Sequence, residues 1–294
     1  MPELPDVTVY TERIGAAAGG QVLRHVRIVN PFVLRTAVPP IASLDGRRLE
    51  LVRRLGKRIV LDFEGGLHLV LHLMRAGRLR WLAPGARLPG KMALAALDFD
   101  SGSLVFTEAG TKRRASMHLV EGDVALAAFD AGGLEVLDAD LTVFAARLRS
   151  ENHTLKRSLT APHLMSGIGG AYSDEILHRA RLSPIAHSKD LADEEIGRLY
   201  HAVRDVLREW TVRLREEAGD GFPEKVTAFR DGMAVHGRFG QPCPVCGTPV
   251  QRIVYADTET NYCPRCQTGG KVLADRALSR LLKSSWPRSV DELE

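Results

Sequence analysis

The chain of 294 residues is 45% hydrophobic and carries 40 Lys and Arg against 36 Asp and Glu, a formal charge of +4. Apolar content on that scale supports one large or two ordinary domains with their own cores and excludes a chain disordered throughout. Charges break every apolar run well short of the roughly 18 residues a membrane span needs, and the start lacks the basic-then-apolar order of a signal peptide, so a soluble cytoplasmic protein with no membrane partner is expected.

The chain opens Met1-Pro2-Glu3-Leu4-Pro5. Removal of Met1 frees the ring nitrogen of Pro2. An α-amino group titrates at about 7.7–8.0, so about a tenth to a fifth is free base near neutrality, where a lysine is almost wholly charged. Such an amine can attack an electrophilic sugar carbon and form an iminium ion, with Glu3 adjacent for proton transfer. The same residues also serve simply to lead into a helix. Val7, Tyr10, Ile14 and Ala17 recur at helical spacing, with Asp6 available as a cap and Gly19-Gly20 as a stop.

From Val22 the pattern turns to short β-type runs: Val22 to Val29, Arg48 to Val52, Arg58 to Phe63, Leu67 to Leu73, Arg78 to Leu82, Ala93 to Phe99 and Leu104 to Thr107. Gly65-Gly66, Pro84-Gly85, Pro89-Gly90 and Ser101-Gly102 separate them as turns, which predicts a β-sandwich or barrel. The β pattern ends near Val120, and a boundary falls near residue 135. Helices are expected around Leu141 to Leu148, Leu155 to Ala161, Ala171 to Ala180 and Ala192 to Glu217. The last carries a core stripe of Ile196, Leu199, Tyr200, Val203, Leu207, Trp210 and Leu214.

All four cysteines lie in Cys243-Pro-Val-Cys246 and Cys263-Pro-Arg-Cys266, two C-x₂-C pairs separated by 16 residues. That spacing fits one tetrahedral Zn²⁺ site, structural because four thiolates fill the shell. The cations Arg238, Arg252 and Arg265 nearby favour DNA over a protein partner for this ribbon. Upstream, His163 to Glu175 places the glycines Gly167, Gly169 and Gly170 directly before a helix. Backbone amides there can approach a phosphate, although such a turn also serves as a plain helix connector. Arg53-Arg54-Leu55-Gly56-Lys57-Arg58 and Lys112-Arg113-Arg114 add positive charge; each alone reads as a solvated face, and together they suit phosphates.

In this order, Pro2-Glu3-Leu4-Pro5, Lys57, Gly167-Ile-Gly169 with Tyr172-Ser-Asp-Glu175, and the ribbon ending Cys263-Pro-Arg-Cys-Gln267 resemble the formamidopyrimidine-DNA glycosylase/endonuclease VIII family. The resemblance runs from residue 1 to about 270. It implies an α+β fold: an N-terminal β-sandwich flanked by helices over 1–134, a helix-two-turn-helix domain over 135–234, a zinc-finger hairpin over 235–270 and an extension over 271–294. It also implies a base-excision-repair glycosylase and abasic-site lyase, with Pro2 as nucleophile at C1′ of a flipped nucleotide, Glu3 as its acid/base, Lys57 as a cation at the reacting site, and β,δ-elimination of the strand. The implied partner is damaged or abasic DNA, duplex or single-stranded, bound by a monomer at the nucleoid. Contacts would come from His72, Met74, Arg75, Lys112, Arg113, Arg114, Lys156, Gly169, Gly170, Tyr172, Arg252 and Thr258.

Departures accompany the matches. Gly170 stands where many relatives have Asn, and Thr258, within Asp257-Thr258-Glu259, stands where the family's hairpin carries an arginine. Arg75 aligns with the methionine that fills the space left by the flipped base, with Met74 beside it. Thr111-Lys112-Arg113-Arg114-Ala115-Ser116 replaces a wedge that normally holds an aromatic. These changes imply an altered lesion or strand preference. A non-catalytic binder of damaged DNA or junctions on the same scaffold is the alternative, and a zinc ribbon that binds another protein is a third.

Overall fold

The computed structural model describes residues 1–110, 112–223, 230–255 and 258–293. Thr111 and Asp257, named above in the wedge and hairpin segments, lie outside the described residues. Residues 1–131 with 210–227 form one compact unit, and 132–209 with 228–294 form another.

The first unit begins on Glu3, whose extended backbone (φ −118°, ψ −172°) turns the chain into α1 (Leu4–Ala18). The Glu3 N–H donates to Asp6 Oδ2 at 2.8 Å, one half of a capping box that satisfies amides the helix leaves open. The cap is therefore Glu3, with Asp6 in the first turn, and not Asp6 as the pattern suggested. Val7, Tyr10, Ile14 and Ala18 are buried, so the stripe closes on Ala18 rather than Ala17.

In chain order the strands are β1 (His25–Ile28), β2 (Leu49–Leu55), β3 (Arg58–Phe63), β4 (Leu67–His72), β5 (Gly77–Leu82), β6 (Ala93–Phe99), β7 (Gly102–Glu108) and β8 (Ser116–Glu121). They make two four-stranded sheets, ordered β1-β6-β7-β5 and β2-β3-β4-β8, with every neighbouring pair antiparallel. Period-two alternation sorts the side chains. Ile59, Leu61 and Phe63 of β3 share a core with Leu69, Leu71, Leu104 and Phe106, whereas Val60 joins Val70, Val120 and Leu126 of α2 (Asp123–Ala127) in a separate cluster. Each expected strand forms, with ends displaced by a few residues. β8 closes the second sheet where the sequence showed only the tail of the β pattern.

The second unit starts with α3 (Leu141–Arg149), capped by Asp140 Oδ1, which accepts the Val143 N–H at 2.8 Å. α4 (Leu155–Thr160) and α5 (Gly170–Ala180) follow, then α6 (Asp193–Ala218), which supplies residues to both units. On α6 the stripe Ile196, Leu199, Val203, Leu207, Trp210 and Leu214 is buried, as its spacing requires. β9 (Gln251–Tyr255) and β10 (Thr258–Tyr262) form the hairpin, followed by α7 (Pro264–Thr268) and α8 (Arg276–Leu282). The last segment folds back on the hairpin: Tyr262 Oη accepts the Leu273 N–H at 2.7 Å, and Asp275 Oδ2 accepts the Val254 N–H at 2.9 Å. The architecture is thus α+β, a two-sheet sandwich with α1 against β2 and β3, a helical region and a cysteine hairpin. Among the described residues no helix is long and apolar enough to cross a membrane.

Candidate active site and nucleic-acid interface

Two connections pass from sheet to sheet at one end of the sandwich. β4 ends at His72 and β5 begins at Gly77, while β7 ends at Glu108 and β8 begins at Ser116. His72 pairs with Ser116 and Gly77 with Glu108, so the two ends of turn 73–76 sit beside the end of β7 and the start of β8. Arg58 pairs with His72 from the other side, which brings the Gly56-Lys57 hairpin turn to the same rim. Lys57, His72, Met74, Arg75, Lys112, Arg113 and Arg114, separate in sequence, therefore gather on one edge.

The rim is braced from its backbone. The Gly77 N–H donates to Leu73 O at 2.8 Å, and a Cβ on Gly77 would lie 2.3 Å from that oxygen, so only glycine fits. Met74 adopts φ +51°, a left-handed conformation uncommon for residues with side chains, and leaves Arg75 exposed. Arg78 Nη1 donates to Arg75 O at 3.3 Å and to Gly77 O at 2.7 Å. In the neighbouring loop the buried Glu108 carboxylate accepts the N–H groups of Arg114 at 3.0 Å and Ala115 at 3.1 Å. The Arg114 side chain is thereby held outward, and Arg113 donates to Lys91 O. Burial, then the charges of Arg58, Lys57 and His118, push the His72 pKa down to about 4, so its ring is neutral near pH 7.

At the terminus, Pro2, Glu3 and Asp6 are buried and Met1 is exposed. The Met1 amine stands one residue ahead of the Pro2 nitrogen that would replace it. Its pKa is lowered, first by burial; Glu3 and Asp6 act the other way, and Arg78 and Lys57 lower it further. The amine and these rim cations therefore share one electrostatic neighbourhood.

In the second unit, Gly169 caps α5 and Gly170 is exposed, with no heavy atom within 4 Å of where its Cβ would be. Lys156 Nζ donates to Gly170 O at 2.6 Å and to Asp174 Oδ1 at 2.5 Å, and Asp174 Oδ2 lies 2.7 Å from His236 Nδ1. Asp174 is wholly buried, so Lys156 serves it as an internal counter-ion. Glu175 accepts the amides of Ala234, Val235 and His236 at 2.7, 2.9 and 2.9 Å; its pKa is raised, because burial outweighs those three bonds. Tyr172 is buried within the same helix. The Tyr172-Ser-Asp-Glu175 stretch thus anchors the segment that leads into the cysteine hairpin.

The four cysteine Sγ atoms all lie within 4.8 Å of one another. A tetrahedral Zn–S₄ centre with bonds of about 2.3 Å needs sulfur–sulfur edges of about 3.8 Å; those between Cys243 and Cys266, Cys246 and Cys263, and Cys266 and Cys246 are 4.0, 3.4 and 3.5 Å. The donor set fits one structural zinc. His178 Nε2 lies 3.3 Å from Cys243 Sγ, placed to donate to a thiolate. Gln267 ties the hairpin to the end of α5: Oε1 accepts the Cys263 N–H at 2.8 Å, and Nε2 donates to Leu182 O at 2.9 Å. Arg252 stacks on Phe239, 4.3 Å from the ring centroid, and reaches Glu259 at 3.3 Å. Thr258 is exposed and donates to Tyr255 O at 2.7 Å.

Arg78 and Glu108 escaped the sequence reading, because an isolated charge at a strand end carries no local mark of its partners. A cavity of about 560 Å³ lies at the other end of α1, lined by Arg13, Ala17, Arg80, Trp81 and Phe222 among others, and includes none of the rim cations.

The family model for the formamidopyrimidine-DNA glycosylase N-terminal domain matches residues 1–115, that for the H2TH domain of the same family residues 133–217, and that for a zinc finger found in FPG and IleRS residues 240–269. The formamidopyrimidine-DNA glycosylase of Thermus thermophilus is 36% identical over 284 residues, covering 92% of this chain and 100% of that protein. An uncharacterized formamidopyrimidine-DNA glycosylase-like protein of Mycobacterium tuberculosis is 42% identical over 151 residues, 51% of this chain and 94% of that one. The Lactococcus lactis Fpg, solved with DNA containing an abasic site, superposes with a TM-score of 0.80 at 23% identity, covering 90% of this chain and 99% of that chain, which is a likeness of fold.

Proposed function

The chain belongs to the formamidopyrimidine-DNA glycosylase family, and from that premise we propose that it is a DNA-repair glycosylase that also cuts the strand at the abasic site it makes. Pro2, freed of Met1, attacks C1′ of a damaged nucleotide turned out of the stack. The base leaves with the bonding electron pair and takes up a proton, and the pyrrolidine nitrogen becomes an iminium. Glu3, positioned by its capping box, protonates the sugar ring oxygen as the ring opens. Loss of a C2′ proton expels the 3′ phosphate, a second elimination expels the 5′ phosphate, and water releases Pro2. Lys57, Arg75 and Lys112 to Arg114 face phosphates, and the amides at Gly169 and Gly170 offer another anion contact.

The observation that carries this reading is Pro2, buried at the start of α1 next to Glu3, which is itself buried and whose N–H is held by Asp6 Oδ2 at 2.8 Å. Borohydride reduction on abasic DNA should leave a covalent adduct with wild type and none with Pro2→Gly. No wild-type adduct, or an undiminished one in the variant, sinks the chemistry.

Arg75 gives the rim a cation where the family has a methionine, the segment Lys112 to Ser116 carries no wedge aromatic, and Gly170 and Thr258 withdraw two phosphate contacts. The substrate we infer is single-stranded or already distorted DNA rather than an oxidised purine in a well-paired duplex. A lesion panel presented as single strand and duplex tests this, and a strong duplex preference counts against it. The same departures favour a second reading, a non-catalytic binder, which predicts a retained Met1 in the intact mass.

A further inference from the structure

The cavity of about 560 Å³ at the far end of α1 plays no part in the repair chemistry. We propose that it binds a phosphate-terminated nucleotide, the base lying against Trp81 and Phe222 and the phosphate held by Arg13 and Arg80. The site belongs wholly to the first unit and does not depend on the reading of Pro2 as a nucleophile.

Three segments build its walls: the second half of α1, the edge strand β5 and residues 220–223. Arg13 and Ala17, four residues apart, share one face of the helix, and the alanine leaves that face low beside the guanidinium. The aromatic wall is fixed in place. Trp81 stacks on Phe99 and on Phe222, with ring centroids 6.0 Å apart in each pair. A Cβ on Gly102 would lie 2.6 Å from Trp81 Nε1, so the indole sits directly on strand backbone. Tyr10 Oη donates to Pro223 O at 3.3 Å and ties the third wall to α1.

The class of ligand follows from the two guanidiniums. Arg24, Arg27, Arg53 and Arg215 of the same unit each pair with a carboxylate, and Glu12, next to Arg13, is taken by Arg215 at 2.6 Å. Among the described residues neither Arg13 nor Arg80 has an ion pair or a hydrogen bond, although Arg13 is half-buried. Asp220 is the acid on the wall, and it is exposed. Two guanidiniums against one solvated carboxylate favour an anion. A phosphate monoester carries about −1.5 to −2 near pH 7 and takes guanidinium hydrogen bonds in pairs. A base supplies the flat face that the aromatic wall accepts, and the volume falls within the roughly 300–1,000 Å³ of small-ligand sites. From Leu4 to Arg13 the helix rises about 14 Å, which separates this site from the reacting end.

Equilibrium dialysis of the full zinc-loaded chain against deoxyadenosine 5′-monophosphate should show one site. Deoxyadenosine and inorganic phosphate should each bind at least about tenfold more weakly, and the monophosphate should bind about tenfold more weakly to Arg13→Gln and to Arg80→Gln. Arg75→Gln, at the rim, should bind it within about twofold of wild type. Two single strands of one sequence, 5′-phosphorylated and 5′-hydroxyl, identify the source. A preference for the phosphorylated strand that disappears in Arg13→Gln assigns the site to the end of a cut strand, and equal affinities assign it to a free nucleotide. No binding of the monophosphate by wild type, equal binding by wild type and both cavity variants, or a loss in Arg75→Gln alone overturns the proposal. None of these readouts involves Pro2, so failure of the covalent chemistry leaves the site standing.

Discussion

Gly77 and Glu108 face one another across the β5–β7 ladder, and each ends one of the two connections between the sheets. Gly77 has no space for a side chain, and Glu108, 2% exposed, holds the amides of Arg114 and Ala115. One paired position therefore sets both the turn that presents Arg75 and the loop that presents Arg114. Charges on loops usually sample many positions in water; these two are carried by backbone that the sandwich itself fixes.

Gly77→Ala should break this arrangement. The added Cβ would meet Leu73 O at 2.3 Å and Leu73 C at 2.9 Å, which are backbone atoms that cannot rotate away. The connection must open, at a cost of about 2–4 kcal/mol. Urea denaturation should show that loss, and adduct formation on abasic DNA should fall with it because Arg75 and Arg78 shift. Wild-type stability in the variant would mean that the turn is looser than the contact implies.

His72 gives the rim an acid-sensitive component. Its folded pKa, about 4, lies below the 6.5 of an ordinary histidine, with burial the first cause and Arg58, Lys57 and His118 following. The unfolded chain then binds the proton more readily, so stability is fully present above about 6.5 and is lost as pH falls toward 4. His72→Gln should flatten that part of the profile relative to wild type, by up to about 2 kcal/mol after allowance for partial exposure. Parallel wild-type and variant profiles between those limits would remove the assignment.

Much of the architecture was legible because it is local. The C-x₂-C pairs announce a metal site by spacing alone, and the stripe from Ile196 to Leu214 announces a buried helix face by period. The proposed roles of Pro2 and Glu3 start from the chemistry of a terminal amine beside a carboxylic acid, and that of Lys57 from family order. What stayed hidden depends on pairing at a distance. Lys156, a DNA contact by the resemblance, also pairs at 2.5 Å with Asp174, which has no exposed surface of its own. Arg252 is expected to be a DNA contact, and its stack on Phe239 and its pair with Glu259 are partners that its sequence position does not announce. Tyr172 lies in a motif that suggests recognition, yet its side chain is buried. Glu108 looks like any surface acid until strand register sets it opposite Gly77.

Zinc should be tunable from outside its ligand shell. His178 Nε2 at 3.3 Å from Cys243 Sγ can donate to a thiolate and so relieve part of the negative charge on a Zn–S₄ centre. His178→Leu should keep one zinc per chain at saturating metal but bind it about tenfold more weakly. Competition with a chromophoric chelator measures this directly. Cys263→Ser, which removes a ligand, should lose the metal outright and make the hairpin segment protease-sensitive. Equal affinity in His178→Leu and wild type would show that the contact carries no weight.

The two phosphate contacts proposed to be missing at Gly170 and Thr258 can be added separately, and salt distinguishes them. Gly170 is exposed with open space at its Cβ position, and its place in α5 imposes no left-handed φ, so Gly170→Asn introduces a neutral amide without strain. It should tighten binding to an abasic-site analogue by about threefold to tenfold. No counterion is released by a neutral group, so the slope of log K against log salt should stay as in wild type. Thr258→Arg instead adds a cation to an exposed hairpin position, and the slope should steepen by about 0.7 to 0.9, the value for one further phosphate neutralised. Fluorescence anisotropy over a salt series reads both. If Thr258→Arg leaves the slope unchanged while the variant folds and holds zinc, the hairpin tip does not approach the phosphate backbone, and the DNA-facing reading of β9 and β10 fails with it.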